Sequence, residues 1–114
     1  MNTLSKELIG ASSIPIILSI LSRGESYGYE IIQQIREISD GNIEYKDGTL
    51  YPVLHKLEKK GMITAVWKTA DTGRKRKYYQ LSGTGKQTLS QEKQNWTIIN
   101  QIMSKLWNIE PNLT

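Results

Sequence analysis

"DTGRKRKYYQLSGTGK", residues 71–86, sets four consecutive cations, Arg74 to Lys77, against two tyrosines and a leucine. A run of charge is ordinarily a solvated loop. This one leads into a β pattern, because in "RKYYQLS", residues 76–82, Lys77, Tyr79 and Leu81 alternate onto one side. Upstream, "ITAVWK", residues 63–68, alternates as well, with Ile63, Ala65 and Trp67 sharing a side. Asp71, Thr72 and Gly73, between the two runs, are turn formers. The pattern predicts a β-hairpin with cations at its tip and along its second strand, and with Trp67 capping its base.

Before the hairpin, the spacing predicts a helix that begins near Asp47-Gly48-Thr49, runs to Lys60 and is closed by Gly61. At about 100° per residue, Leu50, Val53, Leu54 and Leu57 share one face. The opposite face carries Pro52, His55 and Lys59, flanked by Tyr51 and Lys56. Proline fits only near the first turn, which argues for a start at residue 48 or 49. A preceding helix opens at Ser26, whose hydroxyl suits an N-cap, and continues through Tyr29, Ile32, Ile35, Arg36 and Ile38, with Ile31 alongside. "SDGN", residues 39–42, is a turn, and Ile43–Tyr45 is a brief extended connector.

The first helix lies within residues 4–22. Leu4, Leu8, Ala11, Pro15 and Leu18 fall at helical spacing, and Ile14, Ile17 and Ile20 widen the apolar face. Pro15 leaves two readings: a kink, or a fresh start capped by Ser12 or Ser13. Arg23-Gly24 stops the helix. The last helix follows Ser82-Gly83 and runs to about Asn108, with Pro111 ending it. Leu89, Trp96, Ile99, Met103 and Leu106 keep heptad spacing with one gap at Glu92, and Ile98, Ile102 and Trp107 add a second stripe. Trp107 reads as simple packing. Gly83-Thr84-Gly85-Lys86 lacks the full spacing of a phosphate loop, and Ser82 or Thr84 as a helix cap accounts for it better.

Three helices, a hairpin and a long helix make a mainly α chain with a small β-hairpin: a winged helix-turn-helix over residues 1–82 and a C-terminal dimerisation helix over 83–114. The 114 residues suit one core of moderate size. The net charge of +4 is concentrated. Residues 56–77 carry eight cations against Glu58 and Asp71 alone, while the rest of the chain is slightly acidic. Such a footprint points to a polyanion, and its position on a hairpin beside a turn-helix pair points to double-stranded DNA. In that arrangement Tyr51, Pro52, His55, Lys56 and Lys59 enter a major groove, while Arg74, Lys75, Arg76 and Lys77 meet phosphates or the adjacent minor groove. An anchored hairpin also fixes these charges in register, which a flexible tail does not.

Other classes find less support. There is one histidine and no cysteine, so His55 has no partner for a metal site or a nucleophile–base pair, and the chain reads as a non-enzyme without metal or cofactor. Glu25 reads as a solvated surface charge. The apolar run Ile14–Leu21 is too short to cross a bilayer, and the start makes a poor signal peptide, so the expectation is a cytoplasmic protein with no membrane partner. A winged-helix module that binds protein instead of DNA is the alternative. It calls for apolar anchors on the third helix, where this sequence is basic.

"DGTLYPVLHKLEKKGMI" (47–63), followed by "GRKRKYYQLSGTGK" (73–86) and preceded by "SYGYEI" (26–31), resembles the PadR family of bacterial transcriptional regulators. The single short C-terminal helix resembles its compact subfamily. The resemblance implies a homodimer in which the last helix packs on the partner's first helix, through Leu4, Leu8, Leu89, Trp96, Ile99, Met103 and Leu106. It implies repression from a palindromic operator, relieved by a small molecule or a stress signal. It also adds Ser26, Tyr27 and Thr49 to the DNA-facing residues. Trp96 is similar in position to the tryptophan with which multidrug-sensing members stack flat aromatic ligands. The resemblance thus implies an effector slot of Trp96, Ile99, Met103 and Leu18 for a small aromatic or cationic ligand at the dimer interface. Pro15 departs from the pattern of those sensors, in the helix that lines the slot.

Overall fold

The protein is described here by a computed structural model covering residues 4–109. Helix α1 (Lys6–Ser22) is capped by Ser5, whose hydroxyl accepts from the Leu8 amide at 3.1 Å. It passes through Pro15 without interruption, so the fresh start does not occur. Ser12 and Ser13 are not caps. Their hydroxyls turn back and donate to the carbonyls of Leu8 (2.9 Å) and Ile9 (2.8 Å), as mid-helix serines do.

The expected cap at Ser26 is also replaced. Ser26 and Tyr27 form a short strand, β1 (Ser26–Tyr27), and α2 (Gly28–Ile38) begins two residues later, without a side-chain cap. Strand β1 pairs antiparallel with β3 (Lys75–Leu81), which pairs in turn with β2 (Ile63–Thr69). The hairpin is therefore two strands of a three-stranded sheet, in the order β1-β3-β2. The register Ser26↔Tyr79 and Tyr27↔Tyr78 ties the start of α2 to the middle of the hairpin.

Helix α3 (Asp47–Lys59) starts at Asp47, which places Pro52 in the second turn on the exposed side. Gly61 follows with φ 75°, in the left-handed region that glycine enters at little cost, and turns the chain directly into β2. Ser82 then caps α4 (Gly83–Leu106): its hydroxyl accepts from the Gly85 amide at 3.0 Å and donates to the Gly61 carbonyl at 2.6 Å. One serine thus joins the end of α3 to the start of the last helix. Residues 110–114, including Pro111, lie outside the described region.

The core draws Ile17, Leu18, Ile20 and Leu21 from α1, Ile31, Ile32 and Ile35 from α2, and Leu50, Leu54 and Leu57 from α3. Ile63, Tyr79 and Leu89 close it from the sheet and α4. Tyr45, in the connector, is a buried plug whose hydroxyl lies 2.9 Å from Ser13 Oγ. Tyr29 and Ile38, placed with the apolar positions of the second helix by spacing, are exposed. No helix among the described residues is long and apolar enough to cross a membrane.

Candidate nucleic-acid interface

Leu50, Leu54 and Leu57 turn one side of α3 into the core, and helical geometry then presents Thr49, Tyr51, Pro52, His55, Lys56 and Lys59 outward, all exposed. Tyr51 leans back over the start of α2, and this depends on Gly28. A β-carbon at Gly28 would lie 2.9 Å from Tyr51 Cζ and closer still to its hydroxyl. Between α3, the start of α2 and the hairpin lies a cleft of about 660 Å³, whose walls include Tyr27, Tyr51, His55, Trp67, Arg74 and Lys77.

The wing is closed by a short turn in which the Ala70 amide donates to the Arg74 carbonyl and the Gly73 amide to the Ala70 carbonyl, both at 2.8 Å. Gly73 takes φ 84° there. The four cations that follow do not form one uniform patch. Arg74 and Lys75 are exposed and have no ion-pair or aromatic partner among the described residues. Arg76 stacks on Tyr27, its guanidinium carbon 4.4 Å from the ring centre, and Tyr27 meets Tyr78 edge-on at 5.3 Å. Lys77 turns toward α3, where its Nζ lies 3.3 Å from Glu58 Oε1 and 5.4 Å from the centre of the Tyr79 ring. On the strand beside them, Lys68 pairs with Glu25 and sits 5.1 Å over Tyr78.

Titration follows these contacts. Partial burial works against the Lys77 charge, but the hydrogen bond to Glu58 and the nearby Glu58 and Tyr79 oxygens outweigh it and hold its pKa above the ordinary lysine value. Burial pushes the Tyr79 phenol up, with Lys77 opposing.

Two expected site residues do not reach the surfaces proposed for them. Ser26 is 1% exposed, and its hydroxyl donates to Glu30 Oε1 at 2.6 Å and accepts from Gln34 Nε2 at 3.2 Å, so its pairing in β1 buries it away from any DNA. Leu18 is fully buried in the core of its own chain and cannot line an effector slot. Leu89 packs into that same core, so within one chain it holds α4 onto the domain and is largely covered, at the floor of the groove between α1 and α4. Trp67 is 66% exposed and faces the cleft, because its position opposite Lys77 lies beyond the part of β2 that packs on the core. It does not cap the wing base.

Of the remaining expected positions, Leu4 lies half-buried just before α1, and the others fall on α4 and on α1. Trp96, Ile99, Met103 and Leu106 are exposed, together with Ile98, Ile102 and Trp107, and Leu8 is exposed on α1. Between α1 and α4 runs an apolar groove of about 440 Å³ lined by Pro15, Ile16, Ser19, Glu92 and Trp96. The Trp96 indole donates to Glu92 Oε2 at 3.2 Å. Within one chain, Trp96 reaches this groove, whereas Ile99 and Met103 lie further along the helix.

Gly28 and Glu58 were not singled out from the sequence. Glu58 had a usable signal: Lys77 alternates onto the core side with Tyr79 and Leu81, and a lysine there calls for a carboxylate. Gly28 lies within the motif "SYGYEI", but nothing local to it signals its contact with Tyr51, which is distant in sequence.

A family model described as the transcriptional regulator PadR-like family matches residues 17–91. The solved structure of a transcriptional regulator from Clostridium thermocellum is 33% identical and superposes with a TM-score of 0.80, over 88% of this chain and 97% of that one. A PadR-like transcriptional regulator from Bacillus cereus is 28% identical with a TM-score of 0.80, over 92% of this chain and all of that one. The negative transcriptional regulator PadR of Bacillus subtilis is 34% identical over 85 residues, which are 75% of this chain but 44% of that longer protein.

Proposed function

Since this chain belongs to the PadR-like family of transcriptional regulators, which bind DNA and are not enzymes, we propose that it is a homodimeric repressor of a palindromic operator, released by a small aromatic or hydrophobic effector. The observation that carries this reading is the cleft itself. A helix with an exposed polar, aromatic and basic face stands beside a hairpin whose unpaired cations, Arg74 and Lys75, are held at its tip. On this reading Thr49, Tyr51, Pro52, His55, Lys56 and Lys59 enter the major groove. Arg74 and Lys75 meet phosphates, and Tyr27 and Arg76 brace the wing beside them.

The dimer reading is supported by α4. A monomer gains nothing from exposing Ile98, Ile99, Ile102, Met103, Leu106 and Trp107 in one arc. A second copy with its α4 against α1 and Leu8 would cover them, and the two recognition helices would then address half-sites about 34 Å apart. The effector reading rests on the groove at Pro15, Ile16, Ser19 and Trp96, where an indole offers a face to a flat ligand. A ligand there touches both α1 and α4, so it bears on how the two copies sit. The B. subtilis relative is a negative regulator, which supports repression as the direction of control.

The test is fluorescence anisotropy on a labelled DNA fragment from upstream of the protein's own gene, beside a scrambled fragment, at several salt concentrations. Tight binding to the native fragment alone is expected. Equal, weak and steeply salt-dependent binding to both would leave only a non-specific basic wing. No binding to either near physiological salt would favour a protein-binding module.

A further inference from the structure

We infer that Lys77 is a positioning residue: paired with Glu58, it clasps the wing to the recognition helix and sets the spacing at which Arg74 and Lys75 reach DNA. The inference rests on the DNA-binding reading and changes the role of one of the four cations in the run.

The geometry is that of a brace above a hinge. The chain leaves α3 at Gly61 and enters β2 at Ile63, so the wing joins the helix at one point. Lys77 stands opposite Trp67, roughly 13 Å up the hairpin from Ile63 at about 3.3 Å per residue. Glu58 lies in the last turn of α3. The 3.3 Å contact between them therefore ties the middle of the wing to the helix, away from the hinge. Tyr79, 1% exposed, forms the floor under the lysine stem. On the other face, Arg76 on Tyr27 and Lys68 on Glu25 hold the wing to the start of α2. The hairpin is thus braced from both sides, and its two partnerless cations are at the far end.

Charge makes the same point. Glu58 is one of two carboxylates in the basic segment 56–77 and sits beside the proposed DNA surface. A carboxylate there repels phosphate and lowers affinity. If Lys77 served DNA directly, removing Glu58 would free a cation and strengthen binding. If the pair is a brace, removing Glu58 weakens specific binding although the protein becomes more positive. The two readings differ in sign.

The experiment compares wild type, Glu58→Ala, Lys77→Met and the charge-exchanged double variant E58K/K77E in two measurements. The first is anisotropy on the operator fragment. The second needs no DNA. The chain has no cysteine, so spin labels on cysteines replacing Lys46, before α3, and Thr72, at the wing tip, report the helix-to-wing distance by pulsed electron spin resonance. Glu58→Ala and Lys77→Met are each expected to weaken specific binding roughly tenfold and to broaden the distance distribution. The exchanged pair, with unchanged net charge, is expected to recover most of both. Stronger binding by Glu58→Ala, or an unaltered distance distribution in both single variants, overturns the proposal. If wild type fails to bind any fragment while the distances respond as expected, the DNA reading has failed and the brace stands.

Discussion

The wing and the last helix both face outward, but they are exposed in different ways. On β2 and β3 three of the cations already have a partner within the chain: Lys68 with Glu25, Arg76 with Tyr27, Lys77 with Glu58. The cations left without such a partner, Arg74 and Lys75, are at the tip. On α4, beyond Leu89, the outward groups are large and apolar and have little to cover them. A surface that is internally braced and ends in free cations is ready for a polyanion as it stands. A surface of isoleucines and tryptophans is unfinished until another apolar surface meets it. On the proposed reading, one chain therefore holds the DNA-facing surface and half of an assembly face.

The largest effect is expected where the two regions join. A β-carbon at Gly85 would run into the Met62 carbonyl and lie 2.7 Å from Leu81 Cδ1. Gly85→Ala should cost about 1–3 kcal/mol or more and lower the melting temperature by several degrees per kcal/mol. Gly83→Ala, with nothing within 4 Å, should be neutral or mildly stabilising. Equal effects in urea denaturation would show that α4 is not seated there. Next comes the unfinished surface. Ile99→Asp or Ile102→Asp should leave a folded monomer and weaken self-association by roughly 100-fold or more, since a two-fold interface counts each change twice. Light scattering after size-exclusion chromatography reads this directly. Trp96→Ala should keep the dimer and lose binding of flat aromatic cations; a monomeric variant would make Trp96 part of the interface core instead.

The reader should respond differently along its length. Tyr51→Ala or His55→Ala is expected to erode discrimination between operator and scrambled DNA by about 1–3 kcal/mol per base contact. Gly28→Ala should act in the same direction by displacing the Tyr51 ring. Arg74→Ala should weaken binding to all sequences alike and reduce the log–log salt slope by about one unit. A uniform loss from Tyr51→Ala, or a sequence-selective loss from Arg74→Ala, would reverse the division between helix and wing.

Much of this architecture was legible because its signals are local. The leucines of α3 repeat at helical spacing, β2 and β3 alternate on either side of a turn, and Ser82 precedes a long periodic run. The failures share a different cause. A two-residue strand has no period, so Ser26 looked like a cap when its partner, Tyr79, lies far along the chain. Periodicity says which residues share a face, but not what that face meets. The family resemblance implies an effector role for Leu18 and a dimer role for Leu89, yet α1 and α4 turn both inward, while Tyr45, with no pattern around it, plugs the core. Charge alone directs Lys77 to DNA, whereas its strand parity directs it toward α3.

The smallest effect concerns what holds each region at high pH. Tyr45, against α1, and Tyr79, under the wing, both have phenols raised above the ordinary value of 10.0, chiefly by burial. Lys77 is raised too, against the opposition of burial, through Glu58 and Tyr79. All three groups hold their protons more tightly folded than unfolded. Their contribution is therefore complete below the unfolded values and is lost as pH rises through the folded ones. Unfolding free energy should be flat from neutral pH to about 10 and then fall. Tyr45→Phe cannot ionise, so it should soften the fall while leaving the pH response of the wing intact. Lys77→Met should act on the wing alone, visible as altered alkaline broadening of the Lys46–Thr72 distance. If Tyr45→Phe changed both responses together, the braced wing and the core beneath it would be one cooperative unit, and the contrast between reader and assembly face would begin only at α4.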